Sequence, residues 1–262
     1  MPEALEDPFV RGRDLLGRSA GCAALITVVH LSLHALVCRL PIEPRSRGDW
    51  ANRVVASLHA LIVAVACMPV LFLEAPFAGQ TAAVLRWEQV VDTVHGESEA
   101  LWSVLPLSLG YFIYDCFYMA IDPEAFSQLM VVHHVLSLIV WPTSVLSRRG
   151  VYYVAVCLCT EISTPLLHLV VFFMPKHGLS DSPAYIPLGL TLLLLFFCCR
   201  VLPIPFLIRA MWASWEFWQP ADRGIFTLWL LSVPLPPFLN TYWFFRLVRG
   251  AIKPLRAKAR SQ

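Results

Sequence analysis

Asp115, His133, His134, Glu161, His168 and Arg200 are the side chains of this sequence that could do acid–base or nucleophilic work, and each interrupts an apolar stretch. The adjacent pair His133–His134 is the centre of the set. On a helix, neighbouring imidazoles point about a third of a turn apart, so one could face a substrate while a carboxylate holds the other. Asp115 and Glu161 are the two carboxylates available for that task. A carboxylate that accepts the Nδ1 proton fixes the tautomer and leaves Nε2 as base or nucleophile. Helical spacing puts Tyr111 one turn before Asp115, aligns His133 with Ser137, and sets Glu161, Pro165 and His168 along a shared face.

A charged group deep in a bilayer costs ~2.5–3.5 kcal/mol even on the mild insertion scale, so such groups face a bundle interior or a water-filled cavity. Structural pairing alone could retain one or two of them. Six, drawn from four consecutive apolar stretches, point to a shared polar chamber. Two plainer roles stay open. The histidines could be packing residues that bond to neighbouring helices, and Arg200 could form an ion pair with Glu161 or Asp115 as readily as it meets a substrate. His30 and His34 stand four residues apart with no third ligand in evidence, so no metal site is expected. One HH pair and one isolated HxxxH fall short of the several histidine clusters a membrane di-iron oxygenase needs, which excludes that class.

The elements that must position these residues follow from composition. Of 262 residues, 58% are hydrophobic and 15% charged, with a mean hydropathy of +0.65. A soluble domain carries charge on about a quarter of its residues, and here the apolar runs approach the roughly 20 residues that span hydrocarbon. The expectation is therefore an all-α polytopic membrane protein with about seven spans: Ser19–Cys38, Val54–Leu73, Ala100–Ile121, Phe126–Leu146, Val151–Met174, Tyr185–Ile208 and Phe226–Val248. Helices satisfy their own backbone, as hydrocarbon requires. Pro234, Pro236 and Pro237 are expected to kink the last span, with Asn240 satisfying freed carbonyls, and His59 is a single polar residue within the second. Met1–Arg18 is polar and mixed in charge, and the first apolar run after it is too long for a signal peptide's core, so that run reads as a retained anchor rather than a cleaved signal.

The net charge of +2, with no basic stripe interleaved with aromatics, excludes nucleic acid as a partner. All eight cysteines lie within or at the ends of apolar runs without a CxxC pair, as small packing residues do. Arg39, Arg45, Arg47 and Arg53 mark the loop after the first span, and Arg249, Lys253, Arg256, Lys258 and Arg260 mark the tail. The opposite side carries the acidic loop Glu74–Glu99 and, against the trend, Arg148–Arg149. Basic loops stay cytosolic, so the C-terminus is expected in the cytosol. The end Lys258-Ala-Arg260 hints at a dibasic endoplasmic-reticulum retrieval signal.

Trp50-Ala-Asn-Arg53, His59, Gly110-Tyr-Phe-Ile-Tyr-Asp115, His133–His134, Glu161-Ile-Ser-Thr-Pro165, Arg200 ahead of Pro203 and Pro205, and Leu239-Asn240-Thr-Tyr-Trp243 follow one another along the chain. In order and spacing they resemble the TLC-domain family, which is shared by translocating-chain-associating proteins, longevity-assurance proteins (ceramide synthases) and the ceroid-lipofuscinosis cargo receptor. The resemblance implies one N-terminal helix and segment (residues 1–47), a six-helix TLC bundle with a lipid-sized cavity (48–250), and a basic tail (251–262). In the ceramide synthase branch the double histidine handles the acyl group during N-acylation of a sphingoid base. Carried over, His133 and His134 would be catalytic with Asp115 and Glu161, while Arg200, Tyr111, His168 and Asn240 would meet lipid or substrate.

The longevity-assurance pattern continues from HH to a His-Asp and a second Asp. Here Thr160–Glu161 and Thr164 stand at that distance, the Arg-x-Gly element is reduced to Arg149–Gly150, and no homeobox-like insertion is present. The chain therefore resembles the generic TLC-domain-containing branch. The expected function is membrane lipid homeostasis by binding or handling lipids in the polar cavity, with no bound cofactor. The alternative is an acyl-CoA-dependent N-acyltransferase using the His133–His134 pair, with acyl-CoA as co-substrate, and proton-coupled transport stands third. Membrane lipids are the expected partners, the endoplasmic reticulum the expected membrane, and a homodimer an open alternative.

Overall fold

A computed structural model describes residues 7–88, 93–174, 182–218 and 223–260, with the backbone alone described for residues 253–260. The described residues are helical, apart from connections and one isolated β-bridge between His95 and Arg149. The helices are α1 (Pro8–Val37), α2 (Arg47–Phe72), α3 (Phe77–Leu85), α4 (Glu99–Ile121), α5 (Gln128–Leu146), α6 (Val151–Cys159), α7 (Thr164–Phe172), α8 (Tyr185–Phe196), α9 (Pro203–Ala213), α10 (Trp215–Trp218), α11 (Arg223–Ser232) and α12 (Leu235–Arg260).

Among the described residues six helical runs are long and apolar enough to cross a membrane: Pro8–Val37, Pro44–Phe72, Glu99–Ile121, Gln128–Leu146, Val151–Phe172 and Tyr185–Ala213. The seventh expected span is divided into α11 and α12 by a turn at Val233–Pro234, where proline cannot continue the hydrogen-bond ladder. Pro236 and Pro237 fall in the first turn of α12, which leaves its N–H groups unpaired in any case. Asp92 of the acidic loop, and the side chains of Lys253, Arg256, Lys258 and Arg260, lie outside the described residues.

Sequence periodicity misses two features. α1 starts at Pro8 rather than Ser19, because Asp7 caps it by accepting from the Phe9 N–H at 2.9 Å and Pro8 suits the first helical position. The acidic loop contains a helix, α3, whose Phe77, Thr81 and Val84 are buried.

α2 and α4 form the middle of the bundle. α2 packs against α1, α4, α6 and α7, and α4 packs against α1 and α5. Val63, Cys67, Leu101, Leu105 and Leu158 are fully buried between them. α1 approaches α4 most closely at Gly110, where a Cβ would stand 2.6 Å from Cys22 Cβ and 2.8 Å from Ser19 O. A glycine there lets the two backbones touch.

The end of the bundle at the start of α4 is clasped by charge. Glu97 pairs with Arg11 at 2.6 Å and with Arg148 at 3.2 Å, and Arg11 lies over the Trp102 ring at 4.3 Å. The Gly150 N–H donates to Val94 O at 2.6 Å from a left-handed conformation (φ 73°), which allows the tight turn from α5 into α6.

Candidate functional site

Proline and local backbone irregularity set the polar residues in place. The fifth run is interrupted by a 3₁₀ turn, Thr160–Ser163, just before Pro165, and this turn carries Glu161. The sixth run is interrupted by a π turn, Phe197–Val201, just before Pro203, and this turn carries Arg200. Such departures inside helices redirect side chains and free backbone groups. The two turns face each other.

At their meeting, Arg200 donates from Nε to Ser163 Oγ at 2.8 Å, and from one terminal nitrogen to Glu161 Oε2 at 3.0 Å and Thr164 Oγ1 at 2.9 Å. Thr164 in turn donates to Glu161 Oε2 at 2.6 Å. The guanidinium also lies 5.3 Å from the Phe196 ring centre. Arg200 and Glu161 therefore neutralise each other within a closed set of hydrogen bonds, and Thr164, which replaces an acidic residue of the longevity-assurance pattern, is part of that set.

The histidine pair belongs to a second group. His134 is buried, stacks on Phe112 at 4.6 Å, and holds Nδ1 3.4 Å from Asp115 Oδ2. That contact is electrostatic, because Nδ1 has no aligned hydrogen-bond partner. Asp115 Oδ1 accepts from Asn52 Nδ2 at 3.2 Å. His133 is half-buried and meets Trp243 edge-to-face at 6.0 Å. Tyr111 stacks on His59 at 4.1 Å, and His59 Nε2 lies 3.2 Å from Ser108 Oγ. His168 Nδ1 is 3.0 Å from Ser57 Oγ, whose proton goes to Arg53 O at 2.7 Å. Of the two carboxylates the sequence offered to the histidines, Asp115 is beside His134 and Glu161 is taken by Arg200.

Most of these groups line one cavity of about 1590 Å³, with Ser57, Ser108 and Ser163 behind its wall. Asp115, His133, His134, Glu161, Arg200, Tyr111 and His168 are in its wall, with His59 from α2 added to the expected set. Asn240 is not in the lining. Its neighbour one turn on, Trp243, is, so the matching segment of α12 reaches the cavity through its aromatic residue. Asn52 and Arg246 also line it. The signal for Asn52 and Trp243 lay in the sequence pieces Trp50–Arg53 and Leu239–Trp243, and Arg246 stands out in the sequence only as a charge within the last apolar run.

The cavity opens at the end opposite the Glu97 clasp. Among the described residues its rim includes Arg45 before α2, Asp122 and Glu124 after α4, Ser182 before α8 and Arg246 on α12. Among the described residues no group of three or more His, Cys, Asp or Glu is placed to hold a metal ion.

A bundle of membrane-length apolar helices around a buried polar cavity defines a multi-pass integral membrane protein. The chain belongs to the TLC-domain family, whose model matches residues 49–249. It is 24% identical to TLC domain-containing protein 4-B of Danio rerio over 84% of this chain and 80% of the relative. It is 24% identical to TLC domain-containing protein 4 of Xenopus tropicalis over 80% of this chain and 78% of the relative. With TLC domain-containing protein 2 of Danio rerio it shares 32% identity over half of each chain. No solved structure matches.

Proposed function

We propose that this TLC-domain protein acts in membrane lipid homeostasis by taking a lipid into the intramembrane cavity, with its headgroup at the charged rim. The observation that carries this reading is the cavity itself. Its volume of about 1590 Å³ exceeds the roughly 300–1,000 Å³ of pockets for drug-sized ligands. Its walls combine apolar residues such as Leu167, Leu192 and Phe196 with the polar constellation at depth. The test is mass spectrometry of lipids that stay with the purified protein through detergent exchange. A retained lipid, lost when Leu167→Trp or Ala56→Trp fills the cavity in a folded protein, is expected. No retained lipid, or equal retention by both variants, overturns the reading.

One observation favours the acyltransferase alternative: Asp115 faces His134 Nδ1 as an orienting carboxylate faces a base. In that reaction the imidazole takes the proton of a lipid amine as its nitrogen attacks the thioester carbonyl of an acyl-CoA. The C–N bond forms, the C–S bond breaks and the thiol leaves with a proton. Labelled amide formed by the purified protein, and lost in His133→Ala and His134→Ala, supports it. No product from the unsubstituted protein sinks it and leaves the binding reading intact.

We further propose the endoplasmic-reticulum membrane and a cytosolic C-terminus. Arg148, which ran against that orientation in the sequence, is countered by Glu97. An epitope on the C-terminus is expected to be reached by antibody when only the plasma membrane is permeabilised. If it is reached only after full permeabilisation, the orientation is reversed.

A further inference from the structure

α1 lies before the region that the family's model matches, yet it is wired to the cavity. His30 is buried on the face of α1 that meets α4, with its ring 5.6 Å from that of Tyr114 and 5.2 Å from that of Tyr118. Its Nδ1 is 2.7 Å from Tyr114 Oη. Tyr114 Oη lies 2.8 Å from Asn52 Oδ1 and donates to it. A hydroxyl has one proton. The proton given to Asn52 therefore leaves Tyr114 as acceptor from His30, which must carry its own proton on Nδ1. The other end of the Asn52 amide donates to Asp115 Oδ1, whose second oxygen faces His134 Nδ1. Every donor in the series points from α1 toward the carboxyl group, and Asp115 Oδ1 accepts the last of them.

We propose that His30 is a positioning residue which, through the chain His30–Tyr114–Asn52–Asp115, fixes the orientation of the carboxylate and thereby which ring nitrogen of His134 carries its proton. The last link is the weakest. His134 Nδ1 is buried and unaligned, and such a group is costly unless a partner closes on it. Asp115 is the acceptor within reach, and Asn52 holds its other oxygen. With the proton drawn to Nδ1, Nε2 of His134 is the acceptor. The second imidazole of α1, His34, stacks on His30 at 6.2 Å.

The test is ¹⁵N-histidine magic-angle-spinning NMR of the full chain in bilayers, with His30 and His134 assigned from the signals missing in His30→Leu and His134→Gln. In the unsubstituted protein His30 is expected to carry its proton on Nδ1. Tyr114→Phe and His30→Leu are each expected to change the His134 tautomer ratio by about threefold or more, as loss of one ordinary hydrogen bond would. His30→Asn, which keeps a donor near the Nδ1 position, should restore the ratio. Leu15→Ala, a packing change on the same helix, should leave it unaltered. A proton on His30 Nε2, a His134 ratio untouched by Tyr114→Phe, or an equal change in Leu15→Ala overturns the proposal. The readout needs no bound lipid and no turnover, so its failure is separate from failure of the proposed function.

Discussion

Arg200 and Glu161 place two opposite charges at the depth of the cavity, 3.0 Å apart, with Ser163 and Thr164 also accepting from the guanidinium. Breaking such a buried pair from one side costs about 3–5 kcal/mol, because the survivor is left unpaired, while replacing both partners by apolar groups is often close to neutral. Arg200→Leu is thus expected to destabilise the detergent-solubilised protein by about that amount, and Glu161→Leu with Arg200→Leu together to recover most of the loss in thermal unfolding. A double variant as unstable as the single one would mean that the pair holds more than itself together. The same residues mark what could and could not be read from the sequence. That six ionisable groups from four apolar stretches share a chamber followed from the cost of leaving any of them in hydrocarbon. Which carboxylate meets which cation did not, because Glu161 and Arg200 sit on 3₁₀ and π turns whose side-chain directions a 3.6-residue period does not give.

At the scale of elements, the apolar stretches and their order were legible, and the ends of α4 and α5 fall within two residues of the sequence boundaries. The start of α1 was not, because its first turns are polar and are held by the Asp7 cap and by the Arg11–Glu97 pair, a contact with a distant loop. Nor was the intimacy of α1 and α4. It rests on Gly110, where a single methyl group would meet Cys22 and the backbone of Ser19 and Ala23 at 2.6–2.8 Å. Gly110→Ala is therefore expected to push α1 away from α4 and to cost about 1–3 kcal/mol, the usual range for overpacking. The check is a lower unfolding temperature together with increased labelling of Cys22, which is partly buried and faces that glycine. If labelling is unchanged, the helices adjust without separating.

At the scale of the whole molecule, the cavity joins two unlike regions: a deep polar set in which Arg200 and Glu161 pair, and a rim with charges of both signs. Arg45 and Arg246 stand there with Asp122 and Glu124. Asp122 is already engaged, accepting from Tyr118 Oη at 2.9 Å and from the Glu124 N–H at 3.0 Å. Among the described residues of the lining, Arg45 and Arg246 stand against Asp122 and Glu124, and Arg53 pairs with Asp49, so the described rim suits a headgroup that carries both signs better than one with a net negative charge. Lipid retained by the unsubstituted protein is therefore expected to be predominantly zwitterionic phospholipid, with anionic lipid no more abundant than in the source membrane. Neutralising the acidic half with Asp122→Asn and Glu124→Gln leaves both arginines unopposed. An unopposed cation near a membrane surface attracts anionic lipid by about 1 kcal/mol, or roughly fivefold. The ratio of anionic to zwitterionic lipid in the retained fraction should rise by at least that factor in the double variant and fall again when Arg45→Gln and Arg246→Gln are added. A ratio indifferent to all four substitutions would place the headgroup away from this rim, and the cavity would then have to be entered from the side of the bundle.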